Sequence, residues 1–176
     1  KIAFYNVTAN AVDVWVIDIK TGTCSKINKS PVNIVLSSNI IWIDDATVLY
    51  KINTNNAAQM QKKPITPKGP TIQESIGKVA PSVTYQDLIK SPYDEYAFEF
   101  LASAQLVKNK NGVETKIGSP AIISSLDLSP DRNYILTRTI NKPFSYLVTV
   151  NGFASSINVI DINGKLIKTI ADLPSS

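Results

Sequence analysis

The 176-residue sequence predicts an all-β protein built from a repeated strand–turn–strand unit. Three observations predict it. Val, Ile, Thr and Tyr are plentiful while Gly numbers only 7 and the charged fraction is 18%, a balance that fits pleated, half-buried surfaces better than helices. Similar hairpins recur along the chain, and their turns fall at a near-constant spacing.

The hairpins are DVWVIDIKTGTCSKI at 13–27, SAQLVKNKNGVETKIG at 103–118 and SINVIDINGKLIKTI at 156–170. Each has an apolar run, a turn carrying Gly22, Gly112 or Gly164, and a shorter strand ending near an isoleucine. Asn111-Gly112 and Asn163-Gly164 predict type I′ turns, which need positive φ at both central positions. Lys20-Thr21-Gly22 suits a three-residue loop with the glycine left-handed. A second hairpin precedes two of these, IIWIDDATVLYKI at 40–52 and SLDLSPDRNYILTRTI at 125–140. Asp44-Asp45 and Ser129-Pro130-Asp131 supply their turns, with Pro130 setting φ at the first corner.

Two such hairpins in succession make four antiparallel strands, which is one blade of a β-propeller. Gly112 and Gly164 stand 52 residues apart, and Gly22 and Gly112 stand 90 apart. Removing an irregular stretch of roughly 40 residues from the longer interval restores a period within the propeller range. The predicted fold is therefore a partial β-propeller of about two and a half to three four-stranded antiparallel blades, too few to close a ring. Val14, Trp15, Val16, Ile17 and Ile19 place apolar groups on both faces of one strand, as expected where sheets stack on both sides. A two-layer sandwich also supplies such a strand, but it does not require the spacing.

The long irregular insertion runs from about Thr54 to Asp94. Lys62, Lys63, Pro64, Pro67, Lys68, Gly69 and Pro70 read as an extended surface excursion. Thr84–Lys90 predicts a short helix, with Thr84 as N-cap and Asp87 in the first turn, stopped at Ser91-Pro92.

The net charge is +4, from 18 Lys and Arg against 14 Asp and Glu, with the lysines mostly scattered singly. No basic stripe of the kind that tracks phosphates is present, so no nucleic-acid partner is expected. No apolar run approaches the roughly 20 residues that span a bilayer. Cys24 is the single cysteine and there is no histidine. That composition excludes an internal disulfide, a thiolate zinc site, and Ser-His-Asp or Cys-His catalysis by these residues alone. No cofactor and no metal is expected, and no Gly-rich phosphate loop occurs. Asp44-Asp45 and Asp127 with Asp131 read as turn and cap residues, and Cys24 as a small buried apolar residue. Asn6-Val7-Thr8 and Asn28-Lys29-Ser30 match a glycosylation sequon that is frequent by chance.

TYQDLIKSPYDEYAFEF at 84–100, DLSPDRNYILTRTI at 127–140 and NKPFSYLVTVNGF at 141–153 resemble the propeller region of bacterial glutamyl endopeptidase-like members of the prolyl oligopeptidase family of serine peptidases. The SPD turn alone is common to many propellers. The YQDLIKSPYDE run joined to the KPFSYLV run is much more specific. The resemblance implies that the chain, 1–176, is a fragment of an N-terminal β-propeller domain without catalytic residues, in a periplasmic or secreted enzyme. It also implies a C-terminal α/β-hydrolase domain of the same polypeptide as its partner and a peptide as its substrate.

Relatives often carry a His and an Arg where this chain has Asn141 and Phe153. The remaining local candidates for a substrate carboxylate are Arg138 and Lys142, with Tyr146 in the adjoining aromatic cluster of Phe144, Tyr146 and Phe153. Interrupting a propeller uncovers strand edges, so self-association of the fragment is a further expectation. A free-standing propeller that binds a protein or glycan is the alternative reading.

Overall fold

A computed structural model describes residues 1–65 and 88–176. Strands β1 (Ile2–Val7), β2 (Val12–Ile17) and β3 (Cys24–Lys26) form a three-stranded antiparallel sheet in sequence order. Strands β4 (Ile41–Asp44), β5 (Thr47–Asn53), β6 (Ala104–Lys110), β7 (Val113–Leu128), β8 (Tyr134–Ile140), β9 (Ser155–Asp161) and β10 (Leu166–Leu173) form a seven-stranded sheet. Every pairing in it joins neighbours in sequence, and all are antiparallel. The protein is mostly β, as the composition predicts.

The 16-residue β7 changes partner along its length. Val113–Ala121 lies against β6, and Ile122–Leu128 lies against β8. The handover falls at Gly118, with φ of +61°, and Pro120, which cannot donate to a ladder. The large sheet is therefore two consecutive four-stranded units that share β7, one made from β4, β5, β6 and the first half of β7, the other from its second half with β8, β9 and β10.

The middle unit is covered on both faces. Val48, Tyr50 and Ile52 of β5 pack with Val14 and the inner face of the three-stranded sheet. Leu49 of the same strand packs with Leu106, Ile117, Ile123, Leu126 and Ile135, toward the last unit. A strand buried on both faces loses the polar alternation of a surface strand, which is why TVLYKIN reads as nearly continuous. The sequence places that double burial on β2 instead, and there the structure differs. Val14 is buried, Trp15 and Ile17 are half-buried, and Ile19 is exposed. The three-stranded sheet ends the stack, and among the described residues no sheet covers its outer face. Cys24 is exposed for the same reason, because β3 is the edge strand.

Asn111 and Gly112 have φ of +51° and +86°, as a type I′ turn requires. At 163–164 only the glycine is left-handed. The Asp161 carboxylate instead accepts the Asn163 and Lys165 amides and builds a three-residue loop with Gly164 at its end. This loop touches the neighbouring unit: a Cβ on Gly164 would lie 2.1 Å from the Gly118 backbone nitrogen. The Ser129–Arg132 turn closes as expected around Pro130, and Arg132, left-handed at φ +62°, donates to the Ile43 carbonyl at 3.1 Å.

A polar strap ties the small sheet to the large one. Asn28 accepts from the Val14 amide at 2.7 Å and donates to Asp13 and to the Ser30 carbonyl. Its side chain is buried, so this sequon is structural in the folded protein. Glu114 receives the Lys29 and Ser30 amides, the Ser30 hydroxyl and the Tyr50 phenol. Partial burial works against its ionised form, yet these donors hold its carboxyl below the usual range.

Candidate functional site

The described residues of three long connections meet where β7 passes from one unit to the next. They are 27–40 between β3 and β4, 54–103 between β5 and β6, and 141–154 between β8 and β9. Helix α1 (Pro92–Ala102) belongs to the second. Ser91 is its N-cap and accepts the Asp94 amide, Pro92 sits at its first position, and Asp94 and Glu95 occupy its first turn. The helix expected at 84–90 is corrected accordingly. Residues 84–87 lie outside the described residues, 88–90 are not helical, and Ser91-Pro92 starts a helix rather than stopping one. The physics is that of an N-terminus: a missing amide costs nothing in the first turn, and a serine oxygen satisfies a free one.

Helix α1 docks on the 141–154 connection, so two of the sequence runs that carry the family resemblance meet in space. Phe98 stands edge-on to Phe144 and Phe153, with ring centroids 4.9 and 5.6 Å away, and the latter two stack at 5.7 Å. Leu36, Ile122 and Ile140 also belong to this cluster. Phe144 and Phe153 are thus buried core residues, each 4% exposed.

The three candidate site residues fare differently. Lys142 pairs with Glu99 of α1 and lies 5.7 Å from the Phe144 ring centroid. Tyr146 donates to Glu95, one helical turn earlier, at 3.1 Å. Desolvation raises the Tyr146 phenol's pKa, and the Glu95 hydrogen bond adds to it. Both residues therefore contact the exposed side of α1. Arg138 has no carboxylate partner among the described residues. Its Nε donates to the Ser155 hydroxyl at 3.0 Å and its Nη2 approaches the Asn151 carbonyl at 3.5 Å. It lines a cavity of about 80 Å3 with Leu36, Ser124, Ile140, Val150 and Asn151.

One residue escapes the sequence reading. Lys51 of β5 is 2% exposed. Its ammonium donates to the Ser37 hydroxyl at 2.7 Å and the Ile123 carbonyl at 3.1 Å, and no carboxylate pairs with it among the described residues. Burial pushes its pKa down to about 8. The available signal is a lone lysine inside an otherwise apolar strand flanked on both sides.

Among the described residues no group of His, Cys, Asp and Glu is placed to hold a metal. No helix there is long and apolar enough to cross a membrane. Asp44 and Asp131 are engaged in their own turns, accepting the Ala46 and Asn133 amides respectively.

What the fold and site define is a β-sheet segment that brings together a helix, an aromatic cluster and an arginine with no carboxylate partner among the described residues. Compared with known proteins, the chain is 33% identical over 166 residues, 92% of its length, to "Probable glutamyl endopeptidase, chloroplastic" of Arabidopsis thaliana. It is 31% identical over 172 residues, 95% of its length, to the protein of the same name in Oryza sativa subsp. japonica. The chain spans 17% and 18% of those relatives' own lengths. No family model matches it, and no solved structure matches it.

Proposed function

We propose that the chain is a non-catalytic β-propeller segment of a prolyl oligopeptidase-type serine peptidase. It gates or positions peptide substrates for a C-terminal α/β-hydrolase domain of the same polypeptide. The observation that carries this reading is the similarity to proteins named as glutamyl endopeptidases across nearly the whole chain, joined to the absence of any histidine. A serine hydrolase's general base must then come from elsewhere. The two consecutive four-stranded units and the doubly covered middle unit support the propeller architecture.

Within this reading Arg138 is the residue that contacts an acidic substrate side chain, while Lys142 and Tyr146 contact α1. Charge-assisted contact with a carboxylate contributes about 1.5–3 kcal/mol, or roughly ten- to a hundredfold in turnover. Replacing Arg138 with Met in the full-length enzyme is expected to lower kcat/KM by that factor for peptides with Glu before the scissile bond. The matched Gln peptides should be spared. Lys142→Met is expected to affect both peptides alike. Equal loss on both peptides for Arg138→Met, or no loss on either, would remove Arg138 from substrate selection.

A further inference from the structure

The first and last units repeat the same hairpin. Val16-Ile17-Asp18-Ile19, leading out of β2, and Val159-Ile160-Asp161-Ile162, leading out of β9, are identical, and their aspartates act alike, accepting the Lys20 and Asn163 amides. Strands β2 and β9 are therefore equivalent, and so are β1 and β8, which pair with them. On its far side β8 is paired with the second half of β7, whereas β1 has no strand there among the described residues. Tyr5 lies opposite Val14, whose amide and carbonyl are both engaged toward β3, with Asn28 and Ile27. The two form a non-hydrogen-bonded pair, so the Tyr5 amide and carbonyl, and by alternation those of Ala3, point out from the sheet edge. Exposed edges are normally blunted by brevity, charge, proline or a bulge. The other three edges obey this: β3 has three residues, β4 has four and a register shift, and β10 carries Lys168 and Asp172 and shifts register twice. Strand β1, IAFYNV, has no charge, no proline and no shift. It is built as an interior strand. Neighbouring units also touch through the turn after the first strand, where Arg132 before β8 donates to the Ile43 carbonyl of β4. The equivalent turn of the middle unit, Asp44-Asp45, instead lines an open groove of about 610 Å3 together with Lys1 and Trp42.

We propose that the free edge of β1 receives a fourth antiparallel strand, supplied by the residues that lead into β1 in the longer polypeptide. The proposal rests on the reading of the chain as propeller units and not on the peptidase assignment. In both four-stranded units the pairing strand comes directly before its partner, across 45–46 in one and 129–133 in the other, so the same connection here is a tight turn ending at Lys1. The occupant is an extended segment of the length seen there, from the four residues of β4 to the seven of Ile122–Leu128. Its inward side chains are apolar and extend the cluster against which Ala3, Tyr5 and Trp42 pack. A second copy's β1 offers the same main-chain hydrogen bonds. A strand of the same polypeptide is favoured over it because a tight turn holds that strand beside β1 at high effective concentration.

Amide hydrogen exchange in the full-length protein, read residue by residue, tests this. The Ala3 and Tyr5 amides should exchange at least about a hundredfold more slowly than unpaired amides, as should Phe4, whose amide faces β2 and serves as the control. Fast exchange at Ala3 and Tyr5 with Phe4 protected means a free edge and overturns the proposal. Protection of Ala3 and Tyr5 that fades on dilution means that a second copy occupies the edge, and overturns it too. Prolines at two alternate positions among the roughly ten residues leading into Lys1 should remove the protection of Ala3 and Tyr5 and leave that of Phe4, because proline cannot donate to a ladder. Protection that survives those prolines assigns the strand to another part of the polypeptide and overturns the occupant named here. If the proline variant does not fold, the unmodified protein at two concentrations decides alone. A full-length protein that shows the protection, yet carries its reactive serine within residues 1–176, would support the strand and sink the non-catalytic reading.

Discussion

Gly164→Ala is expected to destabilise the protein by about 2–5 kcal/mol, and Gly22→Ala by only about 1–2. Both glycines have positive φ, +91° and +71°, so a side chain at either pays a conformational penalty. They differ in what a Cβ would meet. At Gly22 nothing lies within 4 Å, whereas at Gly164 the Gly118 nitrogen, the Gly118 Cα and the Ile117 carbonyl carbon lie at 2.1, 2.6 and 2.9 Å. Those atoms are backbone and cannot rotate away. The β9–β10 loop and β7 would have to separate, opening the core that Ile117 shares with Leu126 and Ile135. Denaturant midpoints of the two variants measure the contrast. Equal losses would mean that the units do not approach so closely at this point.

Phe144→Ala is expected to cost about 3–5 kcal/mol, the range for deleting a buried aromatic side chain. Phe144 is 4% exposed and faces Phe98 on one side and Phe153 on the other. Aromatic pairs at these separations add to simple burial, and the cavity left would lie under α1. The loss should therefore appear in hydrogen exchange as faster opening of α1 and of 141–154 than of β5 and β6. Tyr146→Phe, which removes only an exposed hydrogen bond to Glu95, should change stability by less than about 0.5 kcal/mol. A Phe144→Ala loss below about 1 kcal/mol would mean that α1 is not anchored by this cluster.

Turn chemistry and periodicity made most of the strands legible. The hairpins at 13–27, 40–52, 103–118, 125–140 and 156–170 all form, because their apolar runs and turn residues agree. The continuity of β7 was hidden, since Gly118-Ser119-Pro120 reads locally as a break and becomes strand only where the chain changes partner. Ser91-Pro92 was misleading because the same two residues serve either end of a helix, and only the acidic pair Asp94-Glu95 beyond them marks a start. Cys24 was assigned to the interior on residue type alone, which cannot see that its strand lies at a sheet edge.

The candidate site was legible in part. Arg138, Lys142 and Tyr146 were found from their place in one run of sequence, but the contacts of the last two depend on α1, which they reach across 43 and 51 residues of chain. Glu99 and Glu95 claim two of the three, and that competition cannot be read without the fold. Lys51 was missed because a lone lysine in a strand reads as a solvent-facing position, and its burial follows from sheets on both sides of β5.

The claim that this segment serves a serine peptidase without performing its chemistry has a direct test. The full-length protein is treated with a serine-directed fluorophosphonate, digested, and the labelled peptide located by mass spectrometry. The account predicts one labelled serine, outside residues 1–176, and no labelling of the 176-residue chain alone. A label on a serine within these residues, lost on denaturation, or a full-length protein that takes no label at all, would contradict it.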